Sequence, residues 1–207
     1  MEVIKNIAVI GGGAAGFFAA ISVKTHHPLS NVTLFEKSSK VLSKVKISGG
    51  GRCNVTNANN DISTLCSAYP RGGKELKNIF YRFGPKDTRE WFEDRGVALK
   101  SEPDGRVFPV SNNSQSIIDC LIEECKKKKI SIKYNKTVKS LIKTESQWVI
   151  NFNDNFVYNR FDSVIVASGG SPKLKGFDWL KNIGHSIIEP IPSLFTFNMP
   201  NESIIGL

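Results

Sequence analysis

Apolar and polar positions alternate along this chain with two periods. The first run, Ile4–Ile10, ends in four consecutive apolar residues, mostly β-branched. Apolar character on both faces predicts a buried parallel strand in a sheet interior. Gly11–Gly16 breaks the run, Ala14–Lys24 reads as a helix that ends before Pro28, and Asn31–Glu36 reads as a second strand. Together they make a β-α-β unit of about 30 residues.

The connection from Lys37 to Asp61 carries five Lys or Arg and three consecutive glycines. Long connections inside compact domains usually serve a function. Lys74–Phe83 and Pro85–Arg95 predict two short helices. Val97–Lys100 and Arg106–Val110 predict short strands around a Pro103-Asp104-Gly105 turn. Ser114–Lys128 predicts a helix whose apolar face is Ile117, Ile118, Leu121, Ile122 and Cys125. A strand at Ile130–Tyr134 follows. Thr137–Lys143, Gln147–Asn153 and Phe156–Tyr158 then predict a three-stranded antiparallel meander, with turn chemistry at Asn153-Asp154-Asn155. Ser163–Ala167 is another apolar strand, stopped by Gly169 and Gly170, and Asp178–Asn182 is a short helix. The expected class is α/β, with a parallel sheet of four or five strands.

Composition narrows the picture. At 207 residues, 40% hydrophobic and 23% charged, the chain is ordinary globular material for one domain, or one with a small appendage. No apolar run reaches the ~18 residues of a membrane helix, and the N-terminus lacks a signal-peptide pattern. Four cysteines without a Cys-x-x-Cys pair, beside three histidines, predict free thiols, no metal site and a cytoplasmic location. The charge is +9, from 28 Lys and Arg against 19 Asp and Glu. Its one dense run, Lys126–Lys129, suits a solvated helix end. No nucleic-acid-binding module surrounds that run, so nucleic acid is not an expected partner, nor is a membrane.

Three segments carry chemistry. Gly11-x-Gly13-x-x-Gly16 lies between a strand and a helix. In such a motif the first glycine makes the tight turn and the second lets a pyrophosphate approach. The third lets helix and strand pack closely, and the helix N-terminus offers free N–H groups to the anion. Glu36 follows twenty residues after Gly16, where a carboxylate can accept both hydroxyls of an adenosine ribose and disfavours a 2′-phosphate. The second segment is Ser48-Gly-Gly-Gly-Arg-Cys-Asn-Val-Thr-Asn57. Its glycines can form an anion-binding nest and Arg52 adds a planar donor fork. Cys53 beside it reads either as a reactive thiol or, the favoured reading, as a buried structural one. The third is Val164-Ile-Val-Ala-Ser-Gly-Gly170, a strand end that leaves room for a ligand.

These segments occur in order with Gly105-Arg-Val-Phe-Pro109 and Pro192-Ser-Leu194. The set resembles the signatures of the YhiN/BaiN-like family of bacterial FAD-dependent (NAD(P)/FAD) oxidoreductases, over essentially the whole chain. The Gly-Gly-Gly-Arg-Cys-Asn stretch is the specific part. The resemblance implies a Rossmann-like FAD/NAD(P)-binding domain of the glutathione-reductase type, its parallel sheet covered by helices on one side and by the meander on the other. It implies FAD as cofactor, NAD(P)H as a possible electron donor, hydride transfer through the bound flavin, and a small-molecule substrate. Gly11, Gly13, Ala15 and Gly16 would hold the pyrophosphate, and Glu36 with Lys37 the ribose end. Val138 would meet the adenine. Gly50, Arg52, Cys53 and Asn54 would lie nearer the flavin, and Ala167, Gly169 and Gly170 beside the first strand.

No catalytic residue is assigned. Ser168 stands where the family usually has threonine, which keeps the hydroxyl. Family members are longer, which implies that residues 1–193 are an FAD-binding domain lacking its C-terminal return segment. Residues 194–207 would begin a truncated second domain, leaving the chain inactive alone. The alternatives are a flavoprotein acting on RNA, of the tRNA-modification type, and a non-catalytic dinucleotide-binding fragment.

Overall fold

The computed structural model describes residues 4–155 and 157–191. Strand β1 (Asn6–Ile10) leads into helix α1 (Ala14–His26) and strand β2 (Asn31–Phe35). The connection that follows is folded. It holds α2 (Ser43–Ile47), a 3-10 turn at Ser48–Gly51, β3 (Thr56–Asn57) and α3 (Ile62–Ser67), none of which the sequence pattern predicts. α2 and α3 have five and six residues, too short to show a helical period. Then come α4 (Gly73–Phe80), α5 (Pro85–Glu93), β4 (Leu99–Ser101), β5 (Arg106–Pro109) and α6 (Gln115–Lys127). After β6 (Ser131–Lys133) the meander β7 (Val138–Lys143), β8 (Trp148–Phe152) and β9 (Val157–Phe161) precedes β10 (Ser163–Val166) and α7 (Asp178–Lys181).

The main sheet has four parallel strands in the order β10-β1-β2-β6, so β1 is interior as expected. Its neighbours run in register, Ile10 pairing with both Phe35 and Val166. Gly11, Glu36 and Ala167 therefore leave the sheet together at one edge. Successive side chains of a strand point to opposite faces. Ile7 and Val9 join α1 and α6 in one core cluster, through Phe17, Ile21, Ile118 and Leu121. Ala8 and Ile10 join the meander in a second, through Phe35, Ile150 and Phe152. Two buried faces explain the unbroken apolar run at Ile7–Ile10.

The Phe35 ring seals the second layer, with centroids 4.9 Å from Phe152, 5.2 Å from Tyr158 and 5.8 Å from Phe161. Such aromatic pairs add roughly 0.5–1.5 kcal/mol each beyond their burial. β3, β5 and β4 form a separate antiparallel sheet beside α5. The expected Pro192-Ser-Leu194 segment and residues 194–207 lie outside the described residues, as does Phe156 of the third meander strand. Among the described residues no helix is long and apolar enough to cross a membrane.

Candidate functional site

Two cavities flank the carboxyl ends of the parallel strands. One, of about 550 Å³, opens on the helix side, and the other, of about 500 Å³, on the meander side. They share Gly11, Glu36, Lys37 and Ser168–Gly170, so they bracket one edge of the sheet like the two ends of a groove. Ligands of open α/β sheets sit at this edge.

The glycine turn is shaped by contacts that exclude a Cβ. Gly11 has φ +113°, and a Cβ there would lie 2.3 Å from the Ala167 carbonyl oxygen. A Cβ on Gly16 would lie 1.8 Å from the Gly11 carbonyl oxygen, which fixes how closely α1 rides on β1. Gly13 differs, because nothing lies within 4 Å of its Cβ position and it lines the helix-side cavity. It stands at the N-cap of α1, which has no side-chain cap and no acidic residue in its first turn. Ala14 and Ala15, whose amides have no intrahelical partner, line the cavity at the positive end of the helix dipole. Open space plus free donors fits a phosphate.

Glu36 is half-buried where both cavities meet. Its Oε2 accepts from the Gly12 N–H at 2.7 Å and its Oε1 from the Ser38 N–H at 2.8 Å. The Ser38 hydroxyl has one proton and two acceptors in reach, Glu36 Oε1 at 2.8 Å and the Lys40 carbonyl at 2.6 Å. When that proton goes to Lys40, about two of the carboxylate's four lone-pair positions stay free. That matches the two hydroxyls of a ribose.

The remaining expected residues divide. Lys37, Cys53, Asn54, Ala167, Gly169 and Gly170 line the helix-side cavity. Val138 lines the meander-side one, next to an irregularity in the β7–β8 pairing. Gly50 and Arg52 line neither cavity. Arg52 Nη1 donates to Glu102 Oε1 at 2.5 Å, and its guanidinium lies 3.9 Å from the centre of the Phe108 ring. The glycine run itself is left-handed, with φ of 55°, 67° and 83° at Gly49, Gly50 and Gly51. It is held internally, the Ser48 carbonyl accepting from the Cys53 N–H and the Gly51 carbonyl from the Ser114 N–H. With its amide turned to the orientation that satisfies both ends, the Asn54 nitrogen donates to the Thr56 and Val107 carbonyls.

Cys53 is buried, and that burial pushes its thiol above the ordinary range, partly offset by a hydrogen bond with Ser48. It has φ +64°, and Leu42, also in the cavity wall, has φ +57°. Left-handed non-glycine residues cost of order 1–3 kcal/mol each and gather where a binding surface must be shaped. Among the wall residues that sequence reasoning missed are Ser38, Lys40 and Lys44. The signal was there in the lysine content of the Lys37–Asp61 connection. Lys44 Nζ lies 3.8 Å from the Cβ position of Gly169, so α2 sets a cation beside that glycine in the same cavity wall.

Several known proteins resemble this chain. It is 29% identical over 199 residues to the 3-dehydro-bile acid delta(4,6)-reductase of Clostridium scindens, an alignment spanning 92% of this chain and 47% of that protein. It is 29% identical to the ribosomal RNA dihydrouridine synthase of Escherichia coli over 78% of this chain and 38% of that one. For the Haemophilus influenzae enzyme of the same name the figures are 26%, 98% and 51%. The chain thus spans about half the length, or less, of these curated relatives. Among solved structures, the open conformation of a flavocytochrome c3 fumarate reductase matches with a TM-score of 0.62 at 22% identity, over 84% of this chain and 35% of that one. An Escherichia coli quinol fumarate reductase matches at 0.58 and 14%, over 83% and 34%. These two likenesses bear on the fold, and they agree with a parallel sheet between helices and a meander. The family model described as the HI0933-like protein Rossmann domain matches residues 5–193, and the chain belongs to that family.

Proposed function

We propose that this chain is the FAD-holding part of a flavin-dependent reductase that adds hydrogen across an activated carbon–carbon double bond. The observation that carries the cofactor is the empty Cβ position of Gly13 at the uncapped start of α1, with the Glu36 carboxylate beside it. In this reading the first amides of α1 bind the pyrophosphate, and Lys37, Lys40 and Lys44 offset its charge. Glu36 orients the ribose, and its charge selects against a 2′-phosphate. The Val138 end of the groove takes the adenine. Cys53, Asn54, Gly169 and Gly170 border the space left for the ring system, near Gly50 and Arg52. FAD, when bound, supplies the hydride chemistry, and the protein supplies position and electrostatics. A nicotinamide nucleotide is the proposed electron donor, and the cytoplasm the proposed location. The double-bond chemistry is supported by the relatives' names, a delta(4,6)-reductase and dihydrouridine synthases.

FAD titration of the purified chain tests the cofactor, read as quenching of flavin fluorescence. Glu36→Gln is expected to weaken binding by roughly 1.5–3 kcal/mol, the scale of a hydrogen bond to a charged group. Glu36→Arg should do worse, because no acceptor remains. Equal FAD affinity in all three proteins would overturn the ribose assignment.

The leading reading takes a small unsaturated molecule as substrate. A second, in which the double bond belongs to a base in RNA, is favoured by one observation. Both dihydrouridine synthases are named for ribosomal RNA, and the Haemophilus influenzae one aligns with 98% of this chain. RNA affinity that falls steeply with added salt would favour it.

A further inference from the structure

None of residues 66–83 is buried, although they hold a regular helix. α4 has no buried residue at all. It packs on α3, with the Tyr69 and Phe80 rings 5.8 Å apart, and Phe83 ties its far end to Phe18 at 6.2 Å. The rest faces solvent. Tyr81 is 65% exposed, and Tyr69 and Phe83 are each 42% exposed.

Cations are interleaved with these rings. Arg71, Lys74, Lys77 and Arg82 are all exposed, and none forms a close ion pair among the described residues, although Lys77 lies near enough to Asp61 to help the Thr64 N–H lower its pKa. Lys74, Lys77 and Tyr81 recur every three or four residues, so they share one face of the helix. The dense run at the end of α6 contrasts with this. There Lys126 bonds Glu123 at 2.6 Å and Lys127 bonds Glu124 at 3.2 Å.

Unpaired cations spaced between exposed aromatic rings match one chemistry closely. Phosphates meet the cations, and bases stack on the rings whatever their sequence. A protein partner would need to bring acidic groups and pockets for the rings together. A bilayer would favour an apolar stripe separate from the charges; Leu76, Ile79 and Phe80 do lie apart from Lys74 and Lys77 on α4, but Tyr81 falls on the cations' own face, where a base can stack on it. We propose that the α3–α4 arm is a docking surface for single-stranded RNA. This rests on the second functional reading, in which the reduced base belongs to RNA.

The test is fluorescence anisotropy of the 207-residue chain with a labelled, mixed-sequence single-stranded RNA over a range of salt. The same RNA as a duplex, and vesicles containing phosphatidylserine, serve as competitors. Lys74→Glu with Lys77→Glu is expected to flatten the log–log salt dependence by about 0.7 per lysine. Tyr81→Ala is expected to lose about tenfold in affinity with the salt slope unchanged, the loss of one stacked base. All three positions are exposed, so circular dichroism and FAD titration should match the parent chain. RNA binding untouched by these changes but lost in Lys126→Gln with Lys127→Gln would overturn the arm and leave the RNA reading standing. No RNA binding in the parent chain would overturn both. Vesicles that displace the RNA from the arm while the duplex does not would assign the surface to membrane instead.

Discussion

Two glycine-rich turns stand close together in this molecule and do opposite things with their backbone. At Gly11–Gly16 the outer glycines are packed from inside, and the middle one faces an open cavity. At Ser48–Asn54 the chain turns on itself. Three left-handed glycines, an arginine clasped by Glu102 and Phe108, and an asparagine bonded to main-chain carbonyls make a self-supporting loop. Both runs suggest anion binding from composition alone. The difference lies in where the donors point. The first turn commits its Gly11 and Gly12 amides to Phe35 and Glu36 but starts a helix whose first amides have no partner among the described residues, while the second has satisfied much of its own polarity before any ligand arrives. Glycine content marks a special backbone, and only the flanking elements say whether that backbone serves a ligand or the fold.

The sharpest way to break this contrast is to put a methyl group where the first turn has no room. Gly11→Ala combines a φ of +113° with a Cβ 2.3 Å from a backbone oxygen. We expect a loss of about 3–5 kcal/mol, the sum of strain and overpacking. That is a large share of a domain's usual ~5–15 kcal/mol. Urea denaturation measures it. A midpoint equal to that of the parent would show that the turn can relax and that the packing argument is wrong.

Gly13→Val separates the two uses of glycine within the same turn. Its Cβ meets nothing within 4 Å, so stability should stay within about 0.5 kcal/mol. FAD binding should fall about 10- to 100-fold, because the side chain occupies the phosphate position and charge-assisted hydrogen bonds worth roughly 1.5–3 kcal/mol are lost. Retained FAD affinity would move the pyrophosphate away from α1.

These two changes also mark what was legible in the sequence. The β-α-β start, the interior place of β1 and the two-sided cover of the sheet follow from Ile7–Ile10, whose apolar run needs two buried faces. The glycine spacing and Glu36 carry the cavity edge, because strand register delivers both to the same end of the sheet. The folded state of the Lys37–Asp61 connection was not legible. α2 begins at a left-handed Leu42 whose N–H donates to the Gly12 carbonyl at 2.7 Å, a contact across thirty residues that no local pattern encodes. The cations Lys40 and Lys44 depend on that contact for their place in the cavity wall. Arg52 shows the same limit from the other side, since its partners Glu102 and Phe108 stand about fifty residues further along the chain.

Arg52→Met tests the second turn directly. The ion pair is partly exposed, with side chains 32% and 22% accessible, so it is worth at most about 1 kcal/mol. The guanidinium–ring contact adds about 0.5–1 kcal/mol. Glu102 keeps a second cation, Arg106 at 3.5 Å, which softens the loss. We expect about 1 kcal/mol less stability in urea and unchanged FAD affinity. The reverse result, weaker FAD binding at full stability, would give Arg52 a direct part in the cofactor site and erase the contrast between the turns.

The smallest expected effect concerns Cys53, which belongs to the second turn but looks into the cavity of the first. Burial raises its thiol pKa above the ordinary value, and the hydrogen bond with Ser48 only partly opposes this. Cys125, buried in α6, is pushed further, to about 12. A thiol raised in the folded state favours folding at neutral pH. That contribution is complete below the unfolded pKa and is lost as pH rises through the folded value. Stability should therefore begin to decline only above about pH 8.5, where unfolded cysteines ionise, with the larger share coming from Cys125. The thiolate is the reactive form, so iodoacetamide at pH 7.5 should modify Cys53 more slowly than a free cysteine peptide, and the gap should narrow as pH rises. Mass spectrometry of the labelled peptides reads both rates. Rapid labelling of Cys53 at neutral pH would mean that the cavity opens to solvent beside an activated thiol. The second turn would then be a reactive surface rather than a structural clasp.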